Sequence, residues 1–71
     1  AALEERMQRI AISMYGNIKW VAAIRCLQTG KKHMNTDDAL RNLNRYLNEL
    51  HDPLSWQLDV EKRIKEMQLG Q

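Results

Sequence analysis

The chain has 71 residues, 44% of them apolar and 28% charged, with a formal net charge of +2. That length makes one domain over residues 1–71, near the lower end of what folds alone, and the composition excludes a disordered tail. No run approaches the roughly 20 apolar residues that cross a bilayer, no signal-peptide pattern is present, and the single Cys26 leaves no internal disulfide, so a reducing, cytoplasmic setting is expected.

From Leu3 to Leu27 the apolar residues keep helical phase. Leu3, Met7, Ile10 and Met14 step by four, three and four, and Ile18, Val21 and Ile24 continue the line. Gly16-Asn17 interrupts this pattern. Glycine inside a helix costs about 1 kcal/mol relative to alanine, and a Gly-Asn pair can stop one helix and cap the next. Because the phase does not slip there, one continuous helix is expected, with a break at Gly16 as the alternative. A continuous helix of this span is about 39 Å long, longer than either later helix, so part of it would need cover from a second copy or another protein. Residues 28–34 form a loop in which Gly30 supplies the left-handed residue of a helix C-cap, followed by Lys31, Lys32 and His33.

A second helix starts at Asn35-Thr36-Asp37-Asp38, where a side-chain oxygen can accept from an orphan N–H and two carboxylates face the positive end of the helix dipole. Leu40, Leu43, Leu47 and Leu50 then draw one apolar stripe, with Tyr46 beside them. His51-Asp52-Pro53 ends it, since proline disfavours helical geometry in Asp52 yet suits the first turn of a third helix capped by Asp52. Trp56, Val60, Ile64 and Met67 form the stripe of that third helix, with Trp56 expected in the core. Two amphipathic helices joined by a tight corner predict an antiparallel C-terminal hairpin. No segment alternates apolar and polar as a half-buried strand does. The expected fold is therefore all-α, a small bundle of three helices, or four if the first breaks at Gly16.

Little here points to chemistry. Cys26 beside Arg25 reads as a small apolar residue on a helix face rather than an activated thiol. His33 and His51 lack a partner at metal-ligand spacing, and Asp37 and Asp38 are explained by the helix start. The three glycines are isolated, so no phosphate-cradling loop is present. No catalytic residue, metal, cofactor or small-molecule substrate is expected, and no membrane association.

The expected function is a non-enzymatic interaction module that binds a protein partner and self-associates through apolar helix faces. The first helix carries Ile12, Tyr15, Trp20 and Leu27 beyond the Leu3-to-Ile24 line, and these are the candidate partner-binding residues. The alternative is a nucleic-acid-binding regulatory domain. Residues 17–33 hold Lys19, Arg25, Lys31 and Lys32 with no acid, and His33, Arg41 and Arg45 lie close in sequence. If Gly16-Asn17 were a turn, Ile18 to Leu27 could serve as the second helix of a helix-turn-helix.

Overall fold

The computed structural model describes residues 2–70; Ala1 and Gln71, the two ends of the expected 1–71 domain, lie outside the described residues. The fold is all-α, a small bundle of three helices: α1 (Ala2–Thr29), α2 (Thr36–Leu50) and α3 (Pro53–Leu69), with no strand among the described residues. Helix α1 runs unbroken through Gly16 and Asn17 for 28 residues, about 42 Å. The alternative of a fourth helix therefore does not arise. A Cβ at Gly16 would meet nothing within 4 Å, so that glycine answers no packing need and only weakens the helix.

The helix ends follow local chemistry. Gly30 adopts a φ of 75°, and its N–H donates to the Cys26 carbonyl at 2.9 Å, closing α1 with the left-handed residue that glycine takes at least cost. At the start of α2 the Asp38 N–H donates to Asn35 Oδ1 at 2.8 Å, with Asp37 and Asp38 in the first turn. Pro53 opens α3 behind Asp52, where its missing N–H costs nothing.

Packing between helices is confined to α1 and α2. Met34, Thr36 and Ala39 lie beside Tyr15, Ile18 and Ala22, while Leu43 and Tyr46 lie beside Val21, Ile24, Arg25 and Gln28. The loop thus carries the chain back along α1, and α2 then runs in the same sense as α1 over its C-terminal half. Ala39 is the point of closest approach and is 1% exposed, the one buried residue among those described. Leu43, Ile18, Val21 and Ala22 are half-buried around it.

Helix α3 packs on neither α1 nor α2. The antiparallel hairpin expected from the stripes of α2 and α3 is not closed, and Trp56, expected in the core, is 61% exposed. The corner supplies the reason. His51 (φ −70°, ψ 124°) and Asp52 (φ −124°, ψ 113°) are both extended, as the residue before a proline prefers. Two extended residues carry the chain outward rather than turning it back.

The molecule is consequently open. Its extents are 49 × 30 × 14 Å and its radius of gyration is 15.9 Å, against about 11 Å for a compact domain of this length. Its accessible surface is 6646 Å², where a compact chain of the same mass exposes about 4,600 Å².

Candidate interaction surface

Helix α1 has almost no net amphipathicity, because its apolar residues surround it, whereas α2 is strongly one-sided. A helix apolar on several sides is one that several neighbours cover, and α2 covers only part of one side. Two strips stay bare. On the N-terminal arm of α1, Leu3 (58% exposed), Met7 (62%) and Ile10 (55%) continue in line with the face that α2 covers further along. Nothing in the chain lies over them, since residues 2–17 of α1 are all exposed.

The second strip comprises Trp20, Ala23, Ile24 and Leu27, at the spacings that align along a helix. Trp20 is 70% and Leu27 86% exposed. Of the four candidate partner-binding residues, Trp20 and Leu27 therefore share a face. Ile12 is exposed about two turns before Trp20 and rotated about 80° from it, and Tyr15 turns toward the start of α2, where the Lys19 ammonium sits 4.5 Å from its ring centre. Sequence spacing placed Ile24 on the α2-facing line, and it does lie beside Leu43 and Tyr46 of α2 while staying 51% exposed. Two successive steps of three residues, from Ile18 to Val21 to Ile24, rotate a side chain by about 120° around the axis, which carries Ile24 to the edge of the covered face, still beside Leu43 and Tyr46. That same rotation was the signal for the Trp20 strip.

Helix α3 is bare on more than one side. Trp56 and Ile64 are exposed on the expected stripe, with Val60 and Met67 half-buried by their own helix, and Leu54, Leu58 and Leu69 stand exposed elsewhere. At the corner, an open groove of about 560 Å³ is bounded by Leu47, Leu50, His51, Ser55 and Trp56. The His51 ring meets Trp56 edge-on at 5.9 Å, a pairing across the Asp-Pro step that spacing alone does not announce.

The basic residues scatter. Arg25 and Arg45 each stand 6.0 Å from the centre of the Tyr46 ring. Arg25 also donates to Gln28 Oε1 at 2.9 Å and reaches the Tyr46 hydroxyl at 3.5 Å. Arg41 pairs with Asp38 at 3.6 Å, with both side chains at least half exposed, an arrangement worth little. Lys31, Lys32 and His33 stand exposed in the loop. The helix-turn-helix form of the nucleic-acid reading required a turn at Gly16-Asn17 and fails, because α1 is continuous there.

Among titratable groups, Asp52 departs from its ordinary value. The Ser55 hydroxyl donates to its Oδ2 at 2.7 Å. That bond holds the carboxyl below 3.8, with the nearby Leu54 and Ser55 backbone N–H groups and His51 acting in the same direction and desolvation opposing. The carboxylate makes no directed capping bond to the backbone, so the hydroxyl is the partner that matters. Cys26 is half-buried beside Ala23, Leu27, Gly30 and Lys31. No group of three or more His, Cys, Asp or Glu side chains converges as metal ligands would among the described residues, and no helix there is long and apolar enough to cross a membrane.

The fold and this surface define a class, a small all-α module with more apolar helix face than one chain covers. Comparison with protein-family models, with curated proteins and with solved structures returns no match.

Proposed function

We propose that the chain is a non-enzymatic helical interaction module, binding a protein partner and a second copy of itself through apolar helix faces. The observation that carries this reading is the uncovered apolar surface. Among the described residues a single one is buried, while large apolar side chains on all three helices stand 38–87% exposed. Soluble monomers rarely leave such contiguous patches in water, and patches of this kind mark association sites. Trp20 and Leu27, projecting side by side from α1, are the anchors assigned to the protein partner, because large aromatic side chains dominate binding energies.

Sedimentation of the full chain tests it. The expected result is association that grows with protein concentration and persists when salt rises from about 50 to 200 mM, since apolar contacts are insensitive to screening. A strict monomer at all concentrations would refute the self-association half.

A second reading, nucleic-acid binding, is favoured by the convergence of Arg25 and Arg45 on Tyr46, with Lys31 and Lys32 exposed nearby in sequence. Including short duplex DNA in the same experiment separates the two. Phosphate binding weakens steeply over that salt range, and replacing Lys31 and Lys32 with glutamate abolishes it while leaving apolar association nearly intact.

A further inference from the structure

We infer that the chain completes itself by exchange: α3 of one copy lies along the N-terminal arm of α1 in a second copy, and reciprocally, forming a closed two-fold dimer. This rests on the self-association proposed above and names the elements that carry it.

The surface area points to a second copy. The chain exposes 6646 Å², about 2,000 Å² more than a compact chain of its mass. Two copies that hid this excess from each other would bury about 4,000 Å², within the roughly 2,000–5,000 Å² of obligate homodimers.

The geometry selects the elements. Each chain holds one helix without a neighbour, α3, and one helical arm without a cover, residues 2–14 of α1. A 17-residue helix standing alone in water is close to the length, about 12–15 residues, below which helices barely form, so α3 needs a surface to lie on. Its stripe from Trp56 to Met67 and the arm's stripe from Leu3 to Met14 each span eleven residues, about 16 Å. The two faces match in length.

Exchange, rather than closure within one chain, follows from the corner and from distance. His51 and Asp52 are extended and Pro53 holds Asp52 so; short connections of this kind favour swapping an element between copies. Helix α2 ends alongside the C-terminal part of α1, where Tyr46 meets Arg25. From Arg25 back to Met7 along α1 is about 27 Å. The 17 residues of α3 span about 26 Å, so even a fully reversed α3 only reaches the near part of its own arm. Because donor and acceptor lie on the same chain, two copies related by a two-fold axis satisfy each other and leave no free end, whereas exchange in one direction only would run on from copy to copy.

Complementation tests the exchange. One variant carries Met7→Asp and Ile10→Asp on the arm, the other Val60→Asp and Ile64→Asp on α3. Each alone has both of its exchange contacts damaged, and its dimerisation weakens by at least ~100-fold. Mixed together they retain one undamaged contact per mixed dimer, so native mass spectrometry with one chain isotopically labelled shows the mixed species in excess of either homodimer. Dimerisation of the α3 variant at wild-type strength overturns the exchange while leaving self-association standing. Failure of the mixture to form mixed dimers overturns it too. A wild-type chain that never dimerises removes the exchange and the self-association reading together. Should the aspartate variants misfold, Ile10→Ala and Ile64→Ala carry the test. Each weakens the dimer about tenfold, and wild-type affinity in both overturns the proposal.

Discussion

The α1–α2 contact turns on a single small side chain, and Ala39→Leu is the sharpest probe of it. Ala39 is 1% exposed where α2 crosses Ile18 and Ala22. A leucine there must push three extra carbons into the closest approach of two backbones, and overpacking of this kind costs about 1–3 kcal/mol. A chain of 71 residues has about 4–11 kcal/mol of total stability, at roughly 0.05–0.15 kcal/mol per residue. One buried alanine among the described residues puts this chain at the lower end, so the substitution removes about a quarter or more of the total. At roughly 4–8 °C per kcal/mol for a chain of this size, the midpoint of thermal unfolding followed by helical circular dichroism falls by about 5–20 °C. Both proteins must be compared at one concentration, because association contributes to stability. Asn44→Leu, on an exposed turn of α2, serves as the control and changes stability by less than about 0.5 kcal/mol. A space of about 190 Å³ adjoins Ala39. If leucine finds room in it and the melting point holds or rises, the close-approach argument is wrong.

Three further outcomes are expected. Asn35→Ala removes the side chain that accepts from the Asp38 N–H and costs about 1 kcal/mol, read as a lower urea midpoint, whereas Asn35→Asp keeps most of the cap. Alanine at the two internal glycines acts with opposite signs although a Cβ meets nothing at either: Gly16→Ala stabilises α1 by about 0.5–1 kcal/mol, and Gly30→Ala, forced to hold a φ of 75°, destabilises by about 1–2 kcal/mol. Equal shifts in the urea midpoint would refute the assignment of the helix ends. Because folding lowers the Asp52 pKa below 3.8, its contribution to stability is fully present above that value and is lost as pH falls through the folded value. Ser55→Ala removes the largest cause, so the Asp52 carboxyl midpoint followed by NMR rises toward 3.8; an unmoved midpoint contradicts the Ser55 bond.

The breaks between helices were legible in the sequence because those signals are local. Asn35 caps with its own side chain, Gly30 supplies a left-handed residue, and Pro53 suits the first turn of α3. Even so, α1 runs on to Thr29, into the expected loop, and Asp52 stands at the cap position without the side-chain bond expected of it. Which faces meet was not legible, because it depends on a few dihedral angles that carry whole helices with them. The stripes of α2 and α3 were correctly seen as apolar, but nothing in Leu43 or Val60 reveals that His51 and Asp52 extend and swing α3 away. The candidate site was half legible for a related reason. Trp20 and Leu27 lie seven residues apart and share a face, with Ile12 rotated about 60–80° from them and Tyr15 about 120–140° away against α2, a difference in rotation that a count of extra apolar residues does not register.

Weighing the two functional readings comes down to what each would leave behind. A phosphate backbone seated on Lys31 and Lys32 neutralises charges that water already solvates well, and it covers none of Leu3, Met7, Leu58 or Leu69, which are 58–87% exposed. Three of the other basic residues are already occupied within the chain, Lys19 on Tyr15, Arg25 on Gln28 and Tyr46, and Arg41 on Asp38. Only an apolar surface removes the larger cost, since exposed apolar area is unfavourable at about 25 cal/mol per Å² wherever it lies. On the proposed reading, nucleic-acid binding would therefore be an added property of an assembly held by helix-face packing, with the loop charges at its edge and the strips of α1 and α3 covered.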